Sequence, residues 1–115
     1  MLITPSECSP TALFLDASWH MPNLTSPRSA STEFLTRRIP NSQFWDVDGI
    51  AEKSEMGLQH MLPSPETFAK ACGKLGIVKG KEEDIVVYDS TGLFSGPRTS
   101  FTFAVRTIQN LCTIC

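Results

Sequence analysis

Apolar and polar positions fall along the chain in blocks that predict strands and helices in turn. Thr11-Ala-Leu-Phe-Leu-Asp16 is a short apolar run ending in an acid and reads as a buried strand. Glu33-Phe34-Leu35 suggests one or two helical turns, which Pro40 stops. Ser42-Gln-Phe-Trp-Asp-Val47 is a second strand. Residues 48–63 follow neither period and form a long loop, a kind of segment that in a compact domain is more often functional than not. The clearest helix comes next. Ser64 suits the N-cap and Pro65 the first helical position, while Glu66 favours the positive end of the helix dipole. Phe68, Ala71, Cys72 and Leu75 recur at i, i+3, i+4 and i+7, and Gly76 supplies the stop.

A charged turn over 79–84 leads into Ile85-Val-Val-Tyr88, a β-branched buried strand. A loop rich in Gly, Ser and Thr runs from Asp89 to Gly96. Pro97 then opens a last helix with Phe101, Ala104, Val105, Ile108 and Leu111 or Cys112 on one face. Strands alternating with helices predict an α/β fold, here a three-stranded parallel sheet flanked by helices. On this reading the last helix has no strand after it. Its inner face and a sheet edge would then be exposed, with aggregation expected.

Composition narrows the classes. The chain has 115 residues, 41% of them hydrophobic and 19% charged, which fits one small globular domain. Ten basic against twelve acidic residues, net −2, argue against binding nucleic acid or an anionic membrane. No apolar run approaches the ~20 residues of a membrane span. The opening Met1-Leu-Ile-Thr-Pro-Ser-Glu7 has neither the charged nor the apolar region of a secretory signal, and the first arginine is Arg28, so no Arg-rich transit segment is read. Four cysteines without such a signal are expected to be reduced thiols.

Several residues carry candidate chemistry, each with a plainer alternative. Asp46 and Asp48 follow a strand at its carboxyl end, where parallel sheets place ligands; the spacing is that of an aspartate-nucleophile phosphatase, or simply of an acidic loop. His60, in the long loop, suits proton transfer, or only holds that loop. A metal site from His20 and His60 lacks a third ligand at a recognisable spacing. Residues 89–98, with Arg98, could cradle an anion ahead of the helix; equally, Arg98 ties the loop down. Cys72 lies on the apolar face of a helix and reads as an inert core thiol. Cys8 precedes the first strand. Cys112 and Cys115 spell CxxC without the setting of a redox or zinc motif.

Together the motifs have a family look. Leu15-Asp-Ala-Ser-Trp19, Arg38-Ile-Pro40, Phe44-Trp-Asp-Val-Asp48, His60-Met-Leu-Pro63, Val86-Val-Tyr-Asp89 and Gly92-Leu-Phe-Ser-Gly-Pro-Arg98 occur in the order and spacing of the tandem rhodanese-type sulfurtransferases. The chain resembles their N-terminal rhodanese domain. The match divides it into a lead segment over 1–12, a partial domain over 13–105 and a divergent tail over 106–115. The resemblance implies a rhodanese-like open parallel sheet flanked by helices, C-terminally incomplete. It also implies transfer of sulfane sulfur from thiosulfate or 3-mercaptopyruvate to a thiol or cyanide. The persulfide-forming cysteine of such enzymes heads a strand-to-helix loop in the second domain, and the first domain walls the cleft. Asp48 and His60 match a first-domain Asp and His that form a relay with a serine of the second, although the segment between them is one residue longer here.

The implied partners are a small sulfur-containing substrate and a C-terminal rhodanese domain, with no cofactor. The implied compartment is cytoplasm or mitochondrion. Asn41-Ser42 replaces the usual small Gly-Ala pair, the first helix is cut short, and the match fades after Val105, as a frameshift, a retained intron or a short isoform would produce. No cysteine stands in a nucleophile loop, so no turnover by this chain alone is expected. An inactive binding module is the alternative.

Overall fold

The computed structural model describes residues 2–22, 25–78, 84–106 and 111–114. Five strands form one parallel sheet: β1 (Leu2–Ile3), β2 (Leu13–Asp16), β3 (Gln43–Phe44), β4 (Ile85–Tyr88) and β5 (Leu111–Ile114), in the spatial order β1-β5-β4-β2-β3. Helices α1 (Ala30–Thr36), α2 (Pro65–Lys74) and α3 (Gly96–Val105) join them, and a 3₁₀ turn at Pro5–Glu7 follows β1. β2 pairs with β4 from Leu13↔Ile85 to Asp16↔Tyr88 and with β3 through Leu15↔Gln43. This is the α/β sheet with flanking helices that the sequence predicts.

The local signals of α2 act as read. The Ser64 hydroxyl accepts the Thr67 N–H, and Pro65 occupies the first turn, where its missing N–H is not needed. At the other end Gly76 has φ +74°, and the Gly76 and Ile77 amides donate back to the Gly73 and Cys72 carbonyls. That pair of reversed bonds is the Schellman arrangement, satisfying carbonyls that the helix leaves open.

Two expectations are corrected. The last helix does not run on to Leu111 or Cys112; α3 stops at Val105. The sheet has five strands rather than three, because residues 111–114 form β5 and residues 2–3 form β1. β5 lies between β4 and β1, in register through Ile85↔Leu111 and Leu2↔Thr113. The strand expected to be missing is therefore supplied by the tail, and the lead segment pairs with it. Helical periodicity misled here because no Gly or Pro stop follows Val105, so the apolar spacing continues unbroken into a segment that tertiary pairing draws into the sheet. Lys79–Glu83 of the expected charged turn, Ile108 of the expected helix, and Cys115 lie outside the described residues.

Alternation along the strands separates two faces. Leu15, Ile85 and Val87 point into one core with Trp45, Phe68 of α2, Cys72 and Phe103 of α3. Trp45, Phe68 and Phe103 form an aromatic triangle with centroids 4.8–5.8 Å apart, in tilted and edge-to-face contacts that ring quadrupoles favour. On the other face the Tyr88 hydroxyl donates to Ser42 Oγ and accepts the Ile39 N–H, tying the segment after α1 to the sheet. Among the described residues no helix is long and apolar enough to cross a membrane.

Candidate functional site

The chain runs from β2 outward to β3, then returns past β2 to β4 and on to β5, which lies beside β1. The direction reverses between β2 and β4, and ligands of open parallel sheets bind at the carboxyl ends of strands at such a point. Three segments meet there: Ala17–His20 after β2, the loop 45–63 after β3, and the loop 89–95 after β4.

Polar side chains lock these segments together. Asp16, buried at the tip of β2, accepts the Ser18 N–H at 3.0 Å and the Ser18 hydroxyl at 2.5 Å. Ser18 Oγ in turn accepts the Ser90 N–H, and Ser95 Oγ accepts the Trp19 N–H. The direction of Trp19 is thus set by bonds to the loop after β4.

Asp48 and His60, twelve positions apart in one loop, come together. His60 Nδ1 lies 2.7 Å from Asp48 Oδ1, with the imidazole 32% and the carboxylate 57% exposed. Oδ1 lies off the Nδ1–H direction, so the contact is a close approach of the two groups rather than a well-directed hydrogen bond. A carboxylate only accepts, so a proton on the ring is favoured at Nδ1, the nitrogen that faces Asp48. Trp19 Nε1 donates to the other oxygen, Asp48 Oδ2, at 2.7 Å. The indole also meets the His60 ring edge-on at 4.7 Å and stacks with Phe94 at 6.2 Å. His60 adopts φ +58°, an uncommon backbone state for a residue with a Cβ, and its carbonyl accepts a hydrogen bond from the Arg98 guanidinium.

The remaining candidates divide. Arg98 serves the loop through that carbonyl. Asp46 accepts the Gly49 N–H at the turn after β3, whereas Asp48 is directed to Trp19 and His60. His20 pairs with Glu33 of α1, which also holds Arg28, and among the described residues no three His, Cys, Asp or Glu side chains group for a metal. Cys72 is buried, and that burial pushes its thiol up to about 11, the mark of an unreactive core cysteine. Cys8 is half-buried beside the 3₁₀ turn.

The loop 89–96 is an amide cradle, as its composition suggests, but it already holds an anion. Asp89 Oδ1 accepts the N–H groups of Thr91 and Gly92, and Oδ2 accepts those of Phe94, Ser95 and Gly96 at 2.8–3.0 Å. Gly96 makes room for this: a Cβ there would stand 3.1 Å from Oδ2. Of the two readings of this loop, an external anion would find these donors already taken by the chain's own carboxylate. An Asp three residues before a Gly, at the end of a strand, was the available signal in the sequence.

Beside His60 the cavity lined by Trp45, Val47, Met61, Arg98 and Thr99 has only about 10 Å³, against roughly 300–1,000 Å³ for ordinary ligand pockets. Asp48 instead lines a shallow cavity of about 200 Å³ with Ser18, Trp19 and His20.

Comparison with known proteins fits this geometry. No family profile matches the chain. It is 41% identical over 96 residues to the mitochondrial thiosulfate/3-mercaptopyruvate sulfurtransferase 1 of Arabidopsis thaliana, covering 84% of this chain and 24% of that protein. To human 3-mercaptopyruvate sulfurtransferase it is 41% identical over 91 residues, 77% of this chain and 29% of that one. These homologues are thiosulfate/3-mercaptopyruvate sulfurtransferases, and the chain matches part of their N-terminal domain. Among solved structures it superposes on the yeast mitochondrial complex I sub-stoichiometric sulfur transferase subunit with TM-score 0.84 and 35% identity, over 98% of this chain and 38% of that one. The Tum1 protein of Saccharomyces cerevisiae gives TM-score 0.78 at 35% identity, over 95% and 34%. The chain spans about a quarter to a third of the length of the curated sulfurtransferases it matches, as part of their N-terminal domain.

Proposed function

We propose that this chain provides the non-catalytic wall of a sulfurtransferase that moves sulfane sulfur from thiosulfate or 3-mercaptopyruvate to a thiol or cyanide. The observation that carries the reading is the content of the amide cradle after β4. Persulfide chemistry needs a thiolate held by main-chain N–H groups, and here five such groups are taken by Asp89. A carboxylate oxygen cannot take up and release sulfur in a thiol's place. The reactive sulfur then comes from a second rhodanese domain facing this one. Its thiolate attacks the donor sulfur, a new S–S bond forms, and the donor leaves with the electron pair of the broken bond.

When 3-mercaptopyruvate is the donor, breaking its C–S bond leaves an enolate that must be protonated. Asp48 and His60 support a relay role there. With Nδ1 held toward Asp48, Nε2 of His60 is free to pass a proton directly or through a hydroxyl of the facing domain. Misaligned pairs of this kind commonly tighten only around bound substrate.

The test has two arms. The purified chain, given thiosulfate and cyanide, should form no thiocyanate, and mass spectrometry should find no sulfur added to its cysteines during turnover. Enzyme-like thiocyanate production would overturn the reading. When a cysteine-bearing rhodanese domain is supplied, adding the wild-type chain should raise pyruvate release from 3-mercaptopyruvate, and His60→Ala should lower it by about 10²-fold or more.

A second reading, an inactive module that binds a protein partner, draws on the exposed Leu93 (42%), Phe94 (50%) and Leu58 (57%), of which Phe94 stacks with Trp19. Stable association with a partner domain and no change in its turnover would favour it.

A further inference from the structure

We propose that Trp19 is a positioning residue that fixes the Asp48–His60 pair through its indole N–H. The inference rests on the relay reading of that pair and assigns it a third member. Trp19 touches both partners at once. Nε1 donates to Asp48 Oδ2 at 2.7 Å, while Oδ1 of the same carboxylate lies 2.7 Å from His60 Nδ1. A carboxylate anchored at one oxygen cannot swing freely about its terminal bond. The indole hydrogen bond therefore chooses which oxygen faces the imidazole. A charge-assisted bond of this length is among the stronger side-chain contacts, and among the described residues Asp48, more than half exposed, is held by Trp19 and His60.

The indole is itself held on independent sides. Its backbone N–H donates to buried Ser95 Oγ at 3.1 Å, its ring stacks with Phe94, and its face or edge packs against His60 at 4.7 Å with the planes 82° apart. Tryptophan is suited to this work because it combines a donor that cannot also accept with a rigid ring of two torsions. Phenylalanine would keep the stacking and lose the donor. The same contacts bind the loop after β2 to the long loop after β3, so the pair's geometry depends on a residue from a different strand.

The test separates the N–H from the ring. In the full chain, Trp19 is replaced by benzothienylalanine, whose sulfur stands where the indole N–H was, and the His60 imidazole is observed by ¹⁵N NMR. The wild-type chain should show the proton on Nδ1. The benzothienyl chain should melt as the wild type does, yet lose the Nδ1–H preference, with mixed tautomers at His60. Trp19→Phe should give the same loss, and Asp48→Ala should expose the Trp19 indole proton to faster solvent exchange. A benzothienyl chain that keeps the Nδ1–H state would overturn the positioning role while leaving the pair intact. A wild-type chain with the proton on Nε2 would instead overturn the pairing of Asp48 with His60, and the role of Trp19 with it.

Discussion

Arg98, in the first turn of α3, donates its guanidinium N–H to the backbone carbonyl of His60, 38 residues earlier in the chain. The bond clamps the long loop at His60, which faces Asp48, and it does so where the backbone is in the left-handed region.

Replacing Arg98 with leucine should therefore act at a distance from its own helix. Stability should fall by about 1–2 kcal/mol in urea titration, since a charged donor to a half-exposed carbonyl is lost. The His60 ring signals should broaden in NMR spectra while the α3 amides keep their shifts. Unchanged His60 signals would show that the clamp is not needed.

Asp89→Asn tests the filled cradle. The amide offers one acceptor oxygen where the carboxylate offers two, and it turns an N–H₂ group toward N–H donors. A loss of roughly 2–4 kcal/mol is expected, because several charge-assisted bonds go and buried donors are left unpaired. Chemical denaturation measures it. The thiol of Asp89→Cys would meet the same donors as a thiolate, and its alkylation should be much faster than that of Cys72, whose thiol burial holds protonated.

Glu52 gives a pH dependence with a defined sign. Its carboxylate accepts the Thr67 hydroxyl at 2.6 Å and the Ser64 N–H at 3.1 Å, and these bonds hold it below the ordinary 4.5. A group lowered in the folded state stabilises fully above its unfolded value and loses that contribution as pH falls through the folded one. The start of α2 should accordingly loosen below about pH 4.5. Amide exchange at Thr67 should rise there in the wild type and show no such step in Glu52→Gln.

How much of this was readable beforehand follows from how local each signal is. Helix α2 was legible because Ser64, Pro65 and Gly76 act within a turn of themselves, and the structure uses all three as expected. Asp48 and His60 were legible as chemistry, and their proximity came only through the family resemblance. Nothing nearby in sequence says that a loop brings them to 2.7 Å. β1 and β5 were missed because two and four residues carry almost no pattern of their own; each is a strand by virtue of the other and of β4. Arg98 was read with both outcomes open, and which one held depended on a carbonyl 38 residues away.

Gly76→Ala should cost about 1–2 kcal/mol, all of it conformational. A Cβ at this position meets nothing within 4 Å, but the φ of +74° remains unfavourable for alanine. Thermal melts of the two chains provide the comparison, and an equal midpoint would mean that the turn relaxes to another form.

A chain ended at Arg106 should unfold broadly and bind hydrophobic dyes, because β5 is gone, β1 has no neighbour and β4 becomes an edge. The 115-residue chain should give a single sigmoidal transition. Similar melts for both would show that β5 adds little.

The pairing of Leu2 with Thr113 also sets a schedule. During synthesis β1 is made before β5, so it has no partner strand until β5 has been made and has docked on β4. Closing so wide a loop is entropically slow. Until then the flank of β4 that β5 covers stays open as an unpaired sheet edge.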